Sequence, residues 1–357
     1  MKNLRRELHK IPELGFKEFK TKEFILSFLE GKDVEIIEIG ETGLGVYFNF
    51  NYEKTICIRS ELDGLPIIEE YENEYASINI GNMHACGHDG HMAILLSLID
   101  DICKKEVEPD VNVLFLFQPS EEVNGGAEMI INSKILDNYH VDEIYALHIW
   151  PNLPEGEIYT RYGALLSKPT EFDIEIKGIS SHVGNLMEGK DALDVGVKLI
   201  NQIKLDASVI DNSIVHIGQI NSGRQRNIVS DSFCAKGTIR TFNEEIYNFV
   251  LNMINQNVNY YSKLYDINIS LKVNSSICSL INDDELVKLS TRKGAKLLKY
   301  PYYQSDDFAL YLQRYKGVYF LLGGGNIPSL HSSTFDFDEE ILIKGNDFLI
   351  KLITKST

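Results

Sequence analysis

The sequence is short of positive charge, of cysteine and of long apolar runs. Lys and Arg total 35 against 52 Asp and Glu, a formal charge of −17. Such a field repels a phosphate backbone on average, so nucleic acid is not expected as a partner. No run approaches the roughly 18 apolar residues that span a bilayer, so no membrane partner is expected either. The opening Met1-Lys2-Asn3-Leu4-Arg5-Arg6-Glu7 is charged and has no apolar signal core, so a cytoplasmic location is expected. The five cysteines are odd in number and scattered, which suits reduced thiols. Cys57, Cys103, Cys234 and Cys278 read as ordinary buried thiols. There is no Gly-, Pro- or Ser-rich linker, no internal repeat and no low-complexity tract.

What is present is the balance of a globular protein, 44% apolar and 24% charged. Its 357 residues suggest two domains at roughly 150 residues each. Phe24, Ile25, Phe28 and Leu29 mark a helix face that stops at Gly31. Short apolar runs follow at 45–50, 55–58, 111–117 and 144–149, with helices expected over 92–103 and 127–132. The run at 111–117 is nearly continuous, which suits a strand covered on both faces in a mostly parallel α/β sheet. A second region alternates instead. Phe172, Ile174 and Ile176 interleave with Asp173, Glu175 and Lys177, as do Ile267, Ile269, Leu271 and Val273 with polar neighbours, so one face of that sheet is wet. Helices are expected over 192–204 and 244–264, the latter capped by Asn243, and strands over 215–220 and 232–241. The order β-α-β-β-α-β is ferredoxin-like. We place this α+β insert at 168–281, within a catalytic domain formed by 1–167 and 282–357. The last segment should hold a helix at 285–298, a strand at 318–322 and a helix at 339–353.

The densest chemistry is Met83-His84-Ala85-Cys86-Gly87-His88-Asp89-Gly90-His91. A lone histidine is usually a hydrogen-bonded core residue, but Cys-x-His beside Asp and a further His is the donor set of a metal site. Gln118-Pro119-Ser120-Glu121-Glu122 follows the buried strand directly. Glu61 and Asp63 follow the strand at 55–58, and His148 closes that at 144–149. Ligands bind outside the carboxyl ends of strands in an open α/β sheet, which favours function over a solvated acidic loop. His331 follows the Gly323-Gly324-Gly325 turn in the same way. Cys86, His88, Glu122, His148 and His331 are too many for one tetrahedral ion and suit two divalent ions: Zn, Mn, Co or Ni. Glu121, beside a ligand but not needed as one, suits a general base.

Further segments extend this pattern: Arg6-Glu7-Leu8-His9-Lys10-Ile11-Pro12-Glu13-Leu14-Gly15-Phe16, Ala146-Leu147-His148-Ile149-Trp150-Pro151, Gly237-Thr238-Ile239-Arg240-Thr241 and Leu330-His331. Together with 83–91 and 118–122 they resemble the aminoacylase and carboxypeptidase family of two-metal peptidases, most of all its N-acyl amino acid amidohydrolase branch. Residues 16–21, 114–119 and 125–128 narrow the resemblance to the branch's deacetylases of bacterial lysine biosynthesis. The resemblance implies the same five metal ligands, with Glu121 as general acid/base and Asp63 orienting a ligand. It implies a small-molecule N-acyl amino acid as substrate, hydrolysed at its amide. The insert would be a lid and dimerisation domain in a homodimer. His182 would reach a partner's site to stabilise the oxyanion, Asn227 would contact substrate and Arg240 would hold its α-carboxylate. Three features depart from the branch: Val183-Gly184-Asn185-Leu186 after His182, Glu61 in place of the usual Asp, and Arg226 before Asn227. Broad aminoacylases, hippurate-type hydrolases and dipeptidases of the same branch are the alternatives.

Overall fold

A computed structural model describes every residue except Tyr71, Glu72, Asn124, Ser356 and Thr357. The last two end the segment 282–357 and lie outside the described residues. In chain order the first elements are α1 (Lys2–His9), α2 (Phe19–Leu29), β1 (Glu35–Ile39), β2 (Gly43–Phe48), β3 (Thr55–Glu61) and α3 (His88–Cys103). Next come β4 (Asn112–Gln118), α4 (Gly126–Ser133), α5 (Ile135–Asn138), β5 (Val141–Trp150), β6 (Ile158–Thr160) and β7 (Gly163–Leu166). Then follow β8 (Lys168–Lys177), α6 (Ala192–Ala207), β9 (Ser213–Ser222), β10 (Ser232–Thr241), α7 (Glu244–Leu264) and β11 (Asn268–Ser276). The chain finishes with β12 (Leu280–Asn282), α8 (Asp284–Arg292), β13 (Lys296–Leu297), β14 (Lys316–Gly323) and α9 (Ile341–Ile353). Two units result: Met1–Leu165 with Ile281–Tyr300 and Asp306–Thr357, and Leu166–Leu280 with Pro301–Ser305.

The first unit is built on an eight-stranded sheet of order β1-β2-β4-β3-β5-β14-β6-β13. Its four central strands, β4, β3, β5 and β14, are parallel. β2 joins β4 and β1 joins β2 antiparallel. Every residue of β3 and β4 is buried, as the unbroken apolar run requires. Ile94, Leu95 and Leu98 of α3 share one core with Phe115, Ile149, Leu342 and Leu349. The parallel strands end at one edge, with Glu61 opposite Gln118 and Gly323 opposite Trp150. The residues just beyond those ends therefore converge.

The second unit is a four-stranded antiparallel sheet of order β11-β8-β10-β9, the ferredoxin-like arrangement. Phe172, Ile174 and Ile176 pack against Leu199 and Ile203 of α6 and Val250 and Ile254 of α7. The alternation at 172–177 is thus one face covered by helices.

Several elements differ from expectation for identifiable reasons. The helix expected over 285–298 stops at Arg292, because Gly294 takes φ +114°, and β13 follows. Helix α3 begins at His88 rather than Met92, where left-handed Gly87 (φ 86°) turns the chain into it. β1, Glu-Ile-Ile-Glu-Ile with only Ile39 buried, was not anticipated. Pro301–Ser305 belongs to the second unit, outside the 168–281 segment. Of the four cysteines read as buried thiols, only Cys57 is fully buried; Cys103, Cys234 and Cys278 are half-buried.

Candidate metal centre

Gly87 lets the chain double back between Cys86 and His88. A Cβ there would meet Ile149 Cδ1 at 3.4 Å and His91 Nε2 at 3.5 Å, and its φ is one that L side chains rarely adopt. His88 sits in the first turn of α3 with its Nδ1 donating to the Asp63 carbonyl at 2.8 Å. That leaves Nε2 to ligate once it is deprotonated, buried and without a hydrogen-bond partner. His148 likewise donates from Nδ1, to the Ile149 carbonyl at 2.7 Å. Its Nε2 stands 3.5 Å from Cys86 Sγ. The Glu122 amide donates to Asp63 Oδ2 at 3.0 Å, which fixes the backbone that carries its carboxylate. Glu122 Oε1 lies 3.2 Å from His331 Nε2 and accepts no hydrogen bond. His331 itself holds φ +65° and is anchored by its amide to the Ala85 carbonyl at 2.8 Å.

These groups form two overlapping sets. Cys86, Glu122 and His331 place one ligand atom each within 4.8 Å of one another, as do His88, Glu121 and Glu122. All five ligand candidates and Glu121 are therefore brought together, joined through Glu122 and the Cys86–His148 contact. The electrostatics ask for cations. Burial, then Glu122 and Glu121, push the Cys86 thiol well above its usual range. Burial, then Asp306, Glu122 and Asp307, push the Glu121 carboxyl well above its own. Burial and then His91 hold His148 well below, neutral and fit to ligate. Burial works against protonation of His88 as well, but Asp63, Glu61 and Glu122 raise it to about 10. Partnerless buried donor atoms, a thiol and crowded carboxylates fit divalent metal ions.

A third set, Glu61, His88, His91 and His148, is equally close but not equally free. His91 donates from Nδ1 to Glu61 Oε2 at 2.9 Å and accepts the Ile149 amide on Nε2 at 2.9 Å. Glu61 Oε1 pairs with Arg59 Nη1. Glu61, counted above among potential ligands, is therefore committed to Arg59 and His91, and His91 braces the backbone next to His148. Sequence reasoning gave no role to His91, Arg59, Asp306 or Asp307. The available signal was a charged Arg59 inside a buried strand.

In the second unit His182 is exposed, and its Nδ1 accepts the Gly184 amide at 3.0 Å at the head of a short helical turn. The Val183 amide donates to the Asn227 carbonyl at 3.1 Å, so the structure brings these two segments side by side. Asn227 is exposed. Arg240 is half-buried, donates to Ser305 Oγ at 2.9 Å and makes no salt bridge among the described residues. Burial lowers its pKa.

Residues 57–355 match the model of peptidase family M20/M25/M40. The chain is 34% identical over 352 residues to an N-acetyldiaminopimelate deacetylase of Shouchella clausii, covering 95% of this chain and 94% of that one. A Bacillus subtilis protein of the same name is 33% identical over 359 residues, covering 95% and 94%. Among solved structures, the Bacillus subtilis YxeP protein, described as a dinuclear metal-binding peptidase from the M20 family, superposes with TM-score 0.86 at 28% identity over 98% of this chain and 95% of that one.

Proposed function

The chain belongs to peptidase family M20/M25/M40 and is a metal-dependent amidohydrolase, and from that premise we propose that it converts N-acetyl-L,L-diaminopimelate to L,L-diaminopimelate and acetate. The observation that carries the reading is the cluster in which His88 Nε2 and Glu122 Oε1 stand buried without hydrogen bonds, with Glu121 beside them. The relatives' names support the substrate.

In this reading Cys86, His88, Glu122, His148 and His331 hold two divalent ions: Zn, Mn, Co or Ni. Such ions supply Lewis acidity to the amide carbonyl and lower the pKa of water. Glu121 takes the proton of the attacking water and delivers it to the departing amine, which cannot leave without it. A carboxyl held above its ordinary pKa suits that exchange. Asp63 orients His88 through its carbonyl and Glu122 through its carboxylate. His182 donates to the oxyanion, Asn227 contacts the substrate and Arg240 grips the α-carboxylate as a fork. The enzyme would work as a cytoplasmic homodimer.

A panel of N-acyl amino acids, assayed with and without chelator, tests the reading. Chelation should abolish turnover and a divalent ion restore it. N-acetyl-L,L-diaminopimelate should lead in kcat/KM by about tenfold or more, which one further charged contact of about 1.4 kcal/mol supplies. Faster turnover of benzoyl or long-chain acyl substrates would assign a broad aminoacylase instead. Full activity in metal-free protein would overturn the mechanism.

A further inference from the structure

Asp307 lies outside every motif discussed above, yet it holds both ends of the segment that bears Glu121 and Glu122. Its Oδ1 accepts from Arg59 Nη2 at 2.8 Å and from Gln118 Nε2 at 2.9 Å. Its Oδ2 accepts from Gln118 Nε2 at 2.8 Å and from the Ala127 amide at 3.0 Å. Gln118 is the last residue of β4, and Ala127 lies in the first turn of α4. Every one of these partners is an N–H donor, so an amide in place of the carboxylate would set an NH2 group against at least one of them. Arg59 is fully buried and reaches Gln118 and Glu61 as well, which ties the same assembly to β3.

The neighbouring acid is a natural control. Asp306 shares Arg59, with Oδ1 3.3 Å from Nη2, but its remaining partners are the Phe308 amide at 2.7 Å and the Tyr319 hydroxyl at 2.6 Å. Both acids place a carboxylate oxygen within 4.8 Å of Glu121. Of the two acids, Asp307 is the one that bonds to both ends of the segment. Glu18 and Asp63 hold it at interior points, through the Ser120 amide at 2.8 Å and the Glu122 amide at 3.0 Å.

We propose that Asp307 is a positioning residue, a buried clasp that closes the stretch from Gln118 to Ala127 so that Glu121 and Glu122 stand against His88. The activity arm of its test rests on the hydrolase reading above; the structural arm does not.

The experiment compares Asp307→Asn with Asp306→Asn, each of which removes one negative charge beside Glu121. Hydrogen exchange is followed by mass spectrometry in metal-free protein, on the peptide carrying Ser120 to Val123. In Asp307→Asn that peptide should exchange about tenfold faster or more, while peptides of β3 and β5 keep wild-type rates. Turnover of the best substrate in the panel should fall about tenfold or more with KM within about threefold, since small misplacements of reacting groups are costly. Asp306→Asn should leave the peptide's exchange at the wild-type rate. Equal acceleration in both variants would mean that charge, not the clasp, matters. Uniform acceleration of every peptide would mean a purely global effect on stability. Either result overturns the proposal. Should Asp307→Asn fail to fold, Ala127→Pro deletes one amide of the clasp in a helical first turn that tolerates proline. Wild-type exchange of the Ser120–Val123 peptide in that variant would overturn it too. The exchange result stands whether or not any N-acyl amino acid is hydrolysed, so a failure of the functional reading is told apart from a failure of this one.

Discussion

The two units hold their candidate residues in opposite ways. At the edge of the large sheet, each candidate imidazole but one has its second nitrogen fixed by a backbone carbonyl, and Glu122 is fixed through its amide. Behind them stands a layer of Arg59, Glu61, His91 and Asp307, each making two or more bonds. In the inserted unit the His182 side chain bonds within its own turn, Asn227 is exposed and Arg240 rests on a serine hydroxyl. The first arrangement is already organised for small, highly charged ligands, which tolerate little error in donor placement. The second leaves side chains available to whatever they meet. Proposed roles in the first region therefore rest on geometry within one unit, and those in the second on the family pattern.

The largest effect that sharpens this contrast is expected at Glu121. Glu121→Gln keeps the size of the side chain and removes the base, so kcat should fall by about 10²-fold or more. Elemental analysis should still find the wild-type metal content. A variant that loses metal would make Glu121 a ligand and would move the base to another group.

Next is a pH effect on stability behind the metal cluster. His9 Nδ1 pairs with Asp89 Oδ2 at 2.8 Å and Nε2 with Glu69 Oε1 at 3.3 Å, while Arg5 Nε bonds the same Asp89 oxygen at 2.7 Å. Burial favours the neutral ring, but Asp89 and Glu69 outweigh it and raise the pKa from 6.5 to about 9. A pKa raised on folding gives stability that is complete below pH 6.5 and lost as pH climbs through about 9. The contribution is on the order of 3 kcal/mol. Urea melts of wild type and His9→Gln should converge across that window. A constant gap between them at all pH values would show that His9 contributes packing alone.

How much of this was legible follows from how local each signal was. Cys86, His88, Glu122 and His148 sit at strand ends or a helix start, and the buried run at 111–117 announces its strand by composition alone. The β-α-β-β-α-β order of the insert was readable because Phe172, Ile174 and Ile176 alternate cleanly. Asp307 was not readable: it is 189 positions from Gln118 and 180 from Ala127, and only the folded sheet brings them together. His91 stood inside the densest motif, but its role depends on which nitrogen faces the Ile149 amide, and composition carries no such information. The helix expected over 285–298 failed because the apolar spacing was read through Gly294, whose backbone ends it.

A smaller effect tests the layer behind the ligands. His91→Phe keeps a flat ring of similar width and removes both hydrogen bonds. The Ile149 amide and Glu61 Oε2 would then lose their partner, and His148 would lose its brace. Loss of such outer contacts typically costs about 10- to 100-fold in metal affinity. Competition titration with a chelator should show that loss with the fold intact. Unchanged affinity would mean that the sheet alone places His148, and the organised layer would lose its importance.

The smallest effect belongs to the inserted unit and asks whether its stability is as local as its side chains. Asn243 caps α7, with Oδ1 accepting the Ile246 amide at 2.8 Å, and Glu244 and Glu245 follow in the first turn. Asn243→Ala leaves that amide without its cap, at about 1 kcal/mol. The buried face of α7, Val250, Ile254 and Val258, is untouched. Divalent ions bound at the large sheet stabilise what binds them by mass action. If the units are organised as differently as their contacts suggest, hydrogen exchange in α7 should quicken by the same factor with and without bound metal. The metal content and kcat of Asn243→Ala should match wild type. An α7 whose exchange slows when metal is added would tie the inserted unit's stability to the metal centre, and the contrast between the two regions would then be one of side chains only.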